Sequence, residues 1–523
     1  MNQKKSITKL IMHGGILAMA GILVRVIGLV YRIPMLNIIG DEAYGIYSTA
    51  FNVYNIMLVL SSYGLPMAVS KLVSDRMAKK HYKDTRKIFN VALLVATTTG
   101  GIAALITFFG ADFIEKHFYA GYEGIAIPLR ILAPTIFIVS MLGVFRGFFQ
   151  GQGTTIPTAL SQVIEQIVNA IISILAAYLL VQSYKNSKNV AGYGAAGGTL
   201  GTAFGALAAL AILLLIYFAY RPIFLKKVRR DRHSINESYT DILKIIAATM
   251  IPIIIGQTFY QISAALDDIM FGKIMLGAGM TKSDIKRAVG NYNSSYVILT
   301  GVVMGVASAM SASMLPSIVA SKARKEYDAI NEKIKVTIQT NMFIALPSFV
   351  GLVVIGKPII QLLFPALNSN QGGVMLRIGG IAVVFYTIST VTSSALQGID
   401  KMNVPVFHSS ISLVIHILLV YILLKFTNLG IYGIVIGSTT FPVVIMILNL
   451  ISLNRYVGYT QEFKKTFGIP LLCSLIMGIA VVLVYDLFYA MLHSNFVALF
   501  FAMATAAVVY FGLMYVCKKK KYI

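Results

Sequence analysis

Long apolar runs, one after another with gaps of roughly 20 residues at most, constrain this chain more than any other feature. A bilayer-crossing helix needs about 20 mostly apolar residues, and the sequence offers such runs near 10–37, 45–70, 88–110, 125–149, 154–182, 196–220, 243–272, 293–319, 334–355, 375–397, 404–426, 429–452, 467–488 and 494–517. They are far longer than the alternating segments of about 10 residues that build a membrane barrel. The expectation is an all-α polytopic membrane protein with about fourteen transmembrane helices. Composition supports it: 57% of residues are hydrophobic and 12% charged, against roughly 25% charged in soluble domains. A soluble enzyme, a disordered chain and a secreted disulfide scaffold are excluded.

The net charge of +24 would suggest nucleic acid in a soluble protein, but here its distribution points elsewhere. The loops on the terminus side contain Lys4, Lys5 and Lys9, the 71–87, 221–244 and 322–335 segments, Lys401, Arg455, Lys464, Lys465 and Lys518 to Lys521. With Arg146 at a helix end, they carry about three times as many cations as the alternate loops, a bias that places them and both termini in the cytoplasm of a cell-membrane protein. No nucleic-acid partner is expected. The opening Lys4-Lys5 and Ala18-Met19-Ala20 faintly resemble a signal peptide, yet the apolar stretch runs on past them through Arg25 and Arg32, so an uncleaved first helix is the better reading. Cys473 and Cys517 sit in late apolar runs and read as small buried hydrophobes rather than a disulfide.

The second half echoes the first. Leu129-Arg130-Ile131, Phe149-Gln150-Gly151 and Pro157 recur in order as Leu376-Arg377-Ile378, Leu396-Gln397-Gly398 and Pro405. Leu65-Pro66 matches Leu315-Pro316, and the glycine-rich Gly194–Gly205 parallels Gly430–Gly437. Two six-helix lobes follow, residues 1–225 and 243–455, joined by a basic cytoplasmic linker at 226–242, with helices 13 and 14 at 466–517 outside the repeat. An even number of helices per unit gives both lobes the same orientation, a transporter arrangement with the substrate between them.

Ionisable groups inside spans point to function. Helix 1 carries Arg25 and Arg32, seven residues apart and nearly aligned, with Gly21 and Gly28 on the same stripe. Two guanidiniums beside residues without side chains suit a bulky phosphate-bearing anion; snorkelling to the headgroups is the alternative. Helix 5 lines one face with Ser161, Gln162, Glu165, Gln166 and Asn169, either a cavity wall or an interhelical hydrogen-bond seam. Glu165 stands out because an isolated carboxylate needs a cation or a proton. Helix 7 places Gln257, Gln261 and Asp268 on a common face with Asp267 adjacent. Either aspartate could neutralise an arginine, hold a coupling cation (Na⁺ or H⁺) or serve in interhelical pairing. His408 and His416 in helix 11 read as packing groups ahead of proton carriers. No P-loop, zinc spacing or catalytic triad is legible, and no gap is large enough for an aqueous catalytic domain. The chain does not read as an enzyme, and no cofactor is implied.

Arg146-Gly147-Phe148-Phe149-Gln150-Gly151, Pro157-Thr158-Ala159 and Ser161-Gln162-Val163-Ile164-Glu165-Gln166, with Val24-Arg25-Val26-Ile27-Gly28 and Tyr31-Arg32, resemble the stage V sporulation protein B branch of polysaccharide exporters. That branch belongs to the multidrug/oligosaccharidyl-lipid/polysaccharide flippase superfamily, which includes the MurJ-type lipid II flippases. The resemblance implies a V-shaped transporter that flips a polyprenyl-diphosphate-linked oligosaccharide, lipid II first among them, from the inner to the outer leaflet by alternating access. Arg25 matches the cavity arginine that engages the diphosphate, with Arg32 the weaker match, and helices 13 and 14 form the lipid-tail groove. Membrane lipids and cell-wall synthesis proteins are the further partners. The Asp267-Asp268 pair departs from the better-known lipid II flippases. A drug/cation antiporter is the alternative, followed by export of another lipid-linked polysaccharide or a sporulation-specific flippase.

Overall fold

A computed structural model describes the backbone of residues 2–520 and the side chains of residues 19–21, 23–251, 253–259 and 261–520. The Lys4, Lys5, Lys9 and Lys521 side chains counted among the terminal cations lie outside that range. Among the described residues the regular structure is helical throughout, with no strand. Among the described residues twelve helices are long and apolar enough to cross a membrane, thirteen if one bent pair counts as a span.

The chain divides into two compact units, Met1–Lys273 with Thr281–Lys286, and Ile274–Met280 with Arg287–Ile523. The first contains α1 (Asn2–Ser62), α2 (Leu65–Ala78), α3 (Tyr82–His117), α4 (Ala126–Gly151), α5 (Ile156–Ser183), α6 (Val190–Arg230) and most of α7 (Tyr239–Gly277). Helix α1 is broken at Gly40, whose φ of 77° and ψ of 177° suit glycine and strain any residue with a Cβ. One qualifying stretch, Met19–Ala78, therefore contains a break where the sequence places two spans, 10–37 and 45–70.

The core of this unit gathers apolar side chains from α2, α3, α4, α6 and the start of α7, including Leu65, Phe89, Phe148, Leu213 and Ile246. Phe89 anchors an aromatic cluster, its ring centroid 4.6 Å from that of Phe148 and 5.1 Å from that of Tyr217. The linker between α6 and α7 is tied to the start of α3 by two carboxylates. Asp231 accepts from the Lys83 N–H at 2.8 Å, while buried Asp84 accepts from the N–H groups of Ile235 and Glu237 at 3.1 and 3.0 Å. Arg76 adds an ion pair to Glu237 at 2.7 Å. Held at its start by this core, α7 packs with the first unit although the repeat in the sequence groups its span with the second half.

The second unit contains α8 (Lys282–Asn291) from Arg287 onward, a π-helical turn (Tyr292–Val297), α9 (Ile298–Ala323), α10 (Tyr327–Leu363), α11 (Ser369–Gly379), α12 (Ala382–Gly398), α13 (Asn403–Phe426), α14 (Ile431–Val457), α15 (Ile469–Leu492) and α16 (Asn495–Lys519). Helices α11 and α12 meet at 49°, so the run at 375–397 is not one straight helix. The bend is held from outside, where the Tyr296 hydroxyl donates to the Gly379 carbonyl at 3.1 Å. Helices α15 and α16, the pair outside the repeat, pack on α10 through Val350, Ile355, Cys473, Met477, Val481 and Leu499. Both cysteines are free, Cys473 buried and Cys517 half-buried.

Candidate functional site

Helices α1, α5 and α6 of the first unit bring together the α1 and α5 residues singled out by the sequence. Helix α6 approaches α5 along a glycine stripe. A Cβ at Gly205 would stand 2.6 Å from the Glu165 carbonyl, and one at Gly201 would stand 2.5 Å from the carbonyl of Asn169. That contact requires residues without side chains, the small-residue packing typical of membrane helices. It also divides the α5 stripe by role. Asn169 is buried in the seam, donating to the Tyr31 hydroxyl at 3.4 Å and accepting from Ser173 at 2.9 Å. Gln162, Glu165 and Gln166 stay half-buried beside it.

Helix α1 lies against this stripe. A Cβ at Gly28 would meet the Gln166 amide nitrogen at 3.2 Å, whereas Gly21 faces open space. Arg25 is exposed, with a glycine on either side of it along the stripe. Arg32 is half-buried, lies among the hydroxyls of Tyr31, Tyr44 and Tyr47, and keeps its buried Nε without a hydrogen-bond partner. The structure thus brings the α1 and α5 residues together.

The partner of Glu165 is Arg146. Its Nη2 donates to Glu165 Oε2 at 2.6 Å and its Nε to the Ser161 hydroxyl at 3.1 Å. The sequence reading counted Arg146 among the loop cations at a helix end; it stands inside α4, with its side chain 16% exposed. A turn around Gly153 separates α4 from α5, and helical periodicity does not run across it, so the pairing was not legible from either helix alone. Arg146 also lines a cavity of about 730 Å³ with Lys71, Ser62, Ser70, Ser74 and Gln150, residues that periodicity did not single out.

On α7, Asp267 and Asp268 are both buried. Asp268 accepts from Asn52 Nδ2 at 2.7 Å, and its backbone carbonyl accepts from the Tyr122 hydroxyl at 3.0 Å. Asn52 is a second residue that periodicity missed, since 216 positions separate the pair. Gln257 and Gln261 are half-buried on the same helix. Among the described residues no three His, Cys, Asp or Glu side chains cluster as a metal site. In the second unit His408 and His416 sit in satisfied networks. His408 Nδ1 pairs with Asn449 Oδ1 at 2.7 Å and His416 Nδ1 with the Gly437 carbonyl at 2.9 Å.

A helical multi-pass architecture with glycine-packed spans and arginines within them is that of a polytopic membrane protein, and the relatives it resembles are named flippases and transporters. Residues 11–321 match the family described as Polysaccharide biosynthesis protein, so the chain belongs to that family. Residues 286–422 also match the MatE family. The lipid II flippase MurJ of Bacillus subtilis (strain 168) is 27% identical, the alignment covering 91% of this chain and 88% of the relative. Stage V sporulation protein B of the same organism is 22% identical over 88% and 87%. Among solved structures, lipid II flippase MurJ in an inward closed conformation aligns with a TM-score of 0.68 at 17% identity, covering 97% of this chain and 99% of that one. An inward-facing multidrug resistance MATE family transporter aligns at 0.63 and 18%, covering 83% and 94%.

Proposed function

We propose that the protein is a flippase that moves a polyprenyl-diphosphate-linked saccharide, lipid II first among the substrates, from the inner to the outer leaflet for peptidoglycan or cell-wall polysaccharide synthesis. The observation that carries this reading is the α1 stripe. Arg25 lies exposed within an apolar span, with open space at Gly21 on one side and Gly28 packed against Gln166 of the polar α5 face on the other. A guanidinium in that setting offers bidentate hydrogen bonds and a permanent charge to a diphosphate. Such a head group would otherwise cross hydrocarbon at a prohibitive desolvation cost. The relatives named as lipid II flippases support the choice of substrate.

Flipping requires no covalent chemistry. The residues bind the charged head while the tail stays in lipid, and α15 with α16 offers an apolar surface for it, with Leu472, Ile479, Phe500 and Phe511 exposed. Rocking of one lobe against the other supplies the path. The cation bias sets both termini in the cytoplasm. Product consumption, the membrane potential or a cation held near Asp267 or Asp268 drives the cycle, a single charge being worth about 2.3 kcal/mol per 100 mV. The test is flipping of a labelled lipid-linked diphosphate in vesicles at matched protein levels. Arg25→Ala should lose about tenfold or more, as expected for charged hydrogen bonds of roughly 1.5–3 kcal/mol each, and Arg25→Lys should retain part of the rate. Normal flipping by Arg25→Ala would make this arginine structural. Proton- or sodium-coupled drug efflux without lipid flipping would favour the drug/cation antiporter reading.

A further inference from the structure

The cavity between the end of α1, α2 and α4 lies within the first unit but is built from residues other than the α1 arginines. Its volume is about 730 Å³, the size of a small-ligand site. Two cations line it, Lys71 and Arg146, and no carboxylate does. Arg146 is oriented from behind: Glu165 and Ser161 engage its Nη2 and Nε, leaving Nη1 without a partner from those two residues. Lys71 is exposed, and no carboxylate among the described residues pairs with it. Ser62, Ser70, Ser74 and Gln150 add hydroxyl and amide groups, while Leu58, Pro66, Met67 and Val139 make the remaining wall apolar.

One side of the cavity is a close helix–helix contact. Along α4, Gly143 and Gly147 let α2 approach until a Cβ at Gly147 would lie 2.6 Å from the Pro66 carbonyl and one at Gly143 3.2 Å from the Pro66 ring. That close packing sets the backbone that carries Lys71 beside the helix that carries Arg146. An oriented guanidinium, an exposed ammonium, hydroxyl donors and an apolar wall in one cavity match a phosphate group attached to a hydrocarbon chain better than a free phosphate. A free anion gains nothing from Leu58, Met67 or Val139.

We propose that this cavity is a second anionic-lipid site, which takes the diphosphate of a prenyl lipid between Lys71 and Arg146 and the first prenyl units against Leu58, Met67 and Val139. The inference rests on the flippase reading for the choice of a prenyl lipid. Lys71 opens the basic segment that the cation bias assigns to the cytoplasm, so the site serves loading from the inner leaflet, ahead of the α1 arginines.

The test uses the purified full-length protein in detergent and a photoreactive farnesyl diphosphate analogue, with labelled peptides mapped by mass spectrometry. Wild type should be labelled within residues 58–74 and 139–150, and unlabelled farnesyl diphosphate should compete better than inorganic pyrophosphate or farnesol. Lys71→Gln, an exposed change that leaves packing intact, should reduce that labelling about tenfold, and Lys71→Arg should restore most of it. Arg146→Gln made together with Glu165→Gln, so that no carboxylate is stranded, should match Lys71→Gln. Arg25→Ala should keep labelling at this cavity. Labelling confined to residues 21–32 of α1, or unchanged in Lys71→Gln and in the double variant, overturns the inference. Competition by pyrophosphate as strong as by farnesyl diphosphate overturns the lipid assignment in favour of a free phosphate. Flipping measured on the same preparations separates the two readings: flipping without Lys71-dependent labelling sinks the second site alone, and Lys71-dependent labelling without flipping sinks the flippase.

Discussion

Removing the carboxylate of Glu165 tests whether the Arg146 pair organises the first unit. The pair is short, 2.6 Å, and its side chains are 16% and 27% exposed. Breaking a fully buried pair costs about 3–5 kcal/mol, and an exposed pair contributes roughly 0–1 kcal/mol. A pair this partly exposed falls between, so Glu165→Gln should destabilise by about 2 kcal/mol, consistent with one charge-assisted hydrogen bond. Arg146 would keep only its bond to Ser161. Arg146→Gln alone should cost a similar amount, because it leaves Glu165 uncompensated beside the α6 seam. The double variant should cost less than the sum, with a coupling of about 1–2 kcal/mol. Reversible unfolding in mixed micelles, titrated with denaturing detergent for all four proteins, measures this. Additivity within about 0.5 kcal/mol would show that the two groups do not depend on each other.

Acid should loosen the α6–α7 linker. Desolvation acts to raise the Asp231 carboxyl, but hydrogen bonds from the Ser234 hydroxyl and the N–H groups of Lys83, His233 and Ser234 outweigh it and hold the group well below the usual carboxylate range. A depressed folded value contributes stability that is present above the ordinary value near about 4 and lost as pH falls below it; limited proteolysis should therefore cut within 231–238 faster at pH about 3 than at pH 7, and Asp231→Asn should cut fast at both. For topology, a cysteine at Lys80, with Cys473 and Cys517 replaced, should escape an impermeant thiol reagent in intact cells, and efficient labelling would refute the cytoplasmic assignment of the 71–87 loop. Photo-crosslinkable polyprenyl probes should map to residues 467–517 and their facing surface on α10, and labelling confined to residues 1–220 would end the tail-groove assignment.

Hydropathy alone established the membrane class, the helical content and most span positions, because burial in hydrocarbon demands long apolar helices whatever the tertiary fold. Periodicity also placed Gly21, Arg25 and Gly28 on one face of α1, and Ser161, Glu165 and Asn169 on one face of α5. What stands opposite a face is set by packing between helices that are distant in sequence, and periodicity is silent there. Only the tertiary structure paired Glu165 with Arg146 and Asp268 with Asn52, and divided the α5 stripe into a seam against the α6 glycines and a half-buried remainder. The 49° bend between α11 and α12 was likewise invisible to a hydropathy window, which averages over the residues where the backbone turns, whereas the Gly40 break falls in the gap that hydropathy left between 37 and 45. The cavity at Lys71 and Arg146 joins three helices that share no sequence pattern, so its chemistry emerged only when the close contact of α2 with α4 brought those side chains together.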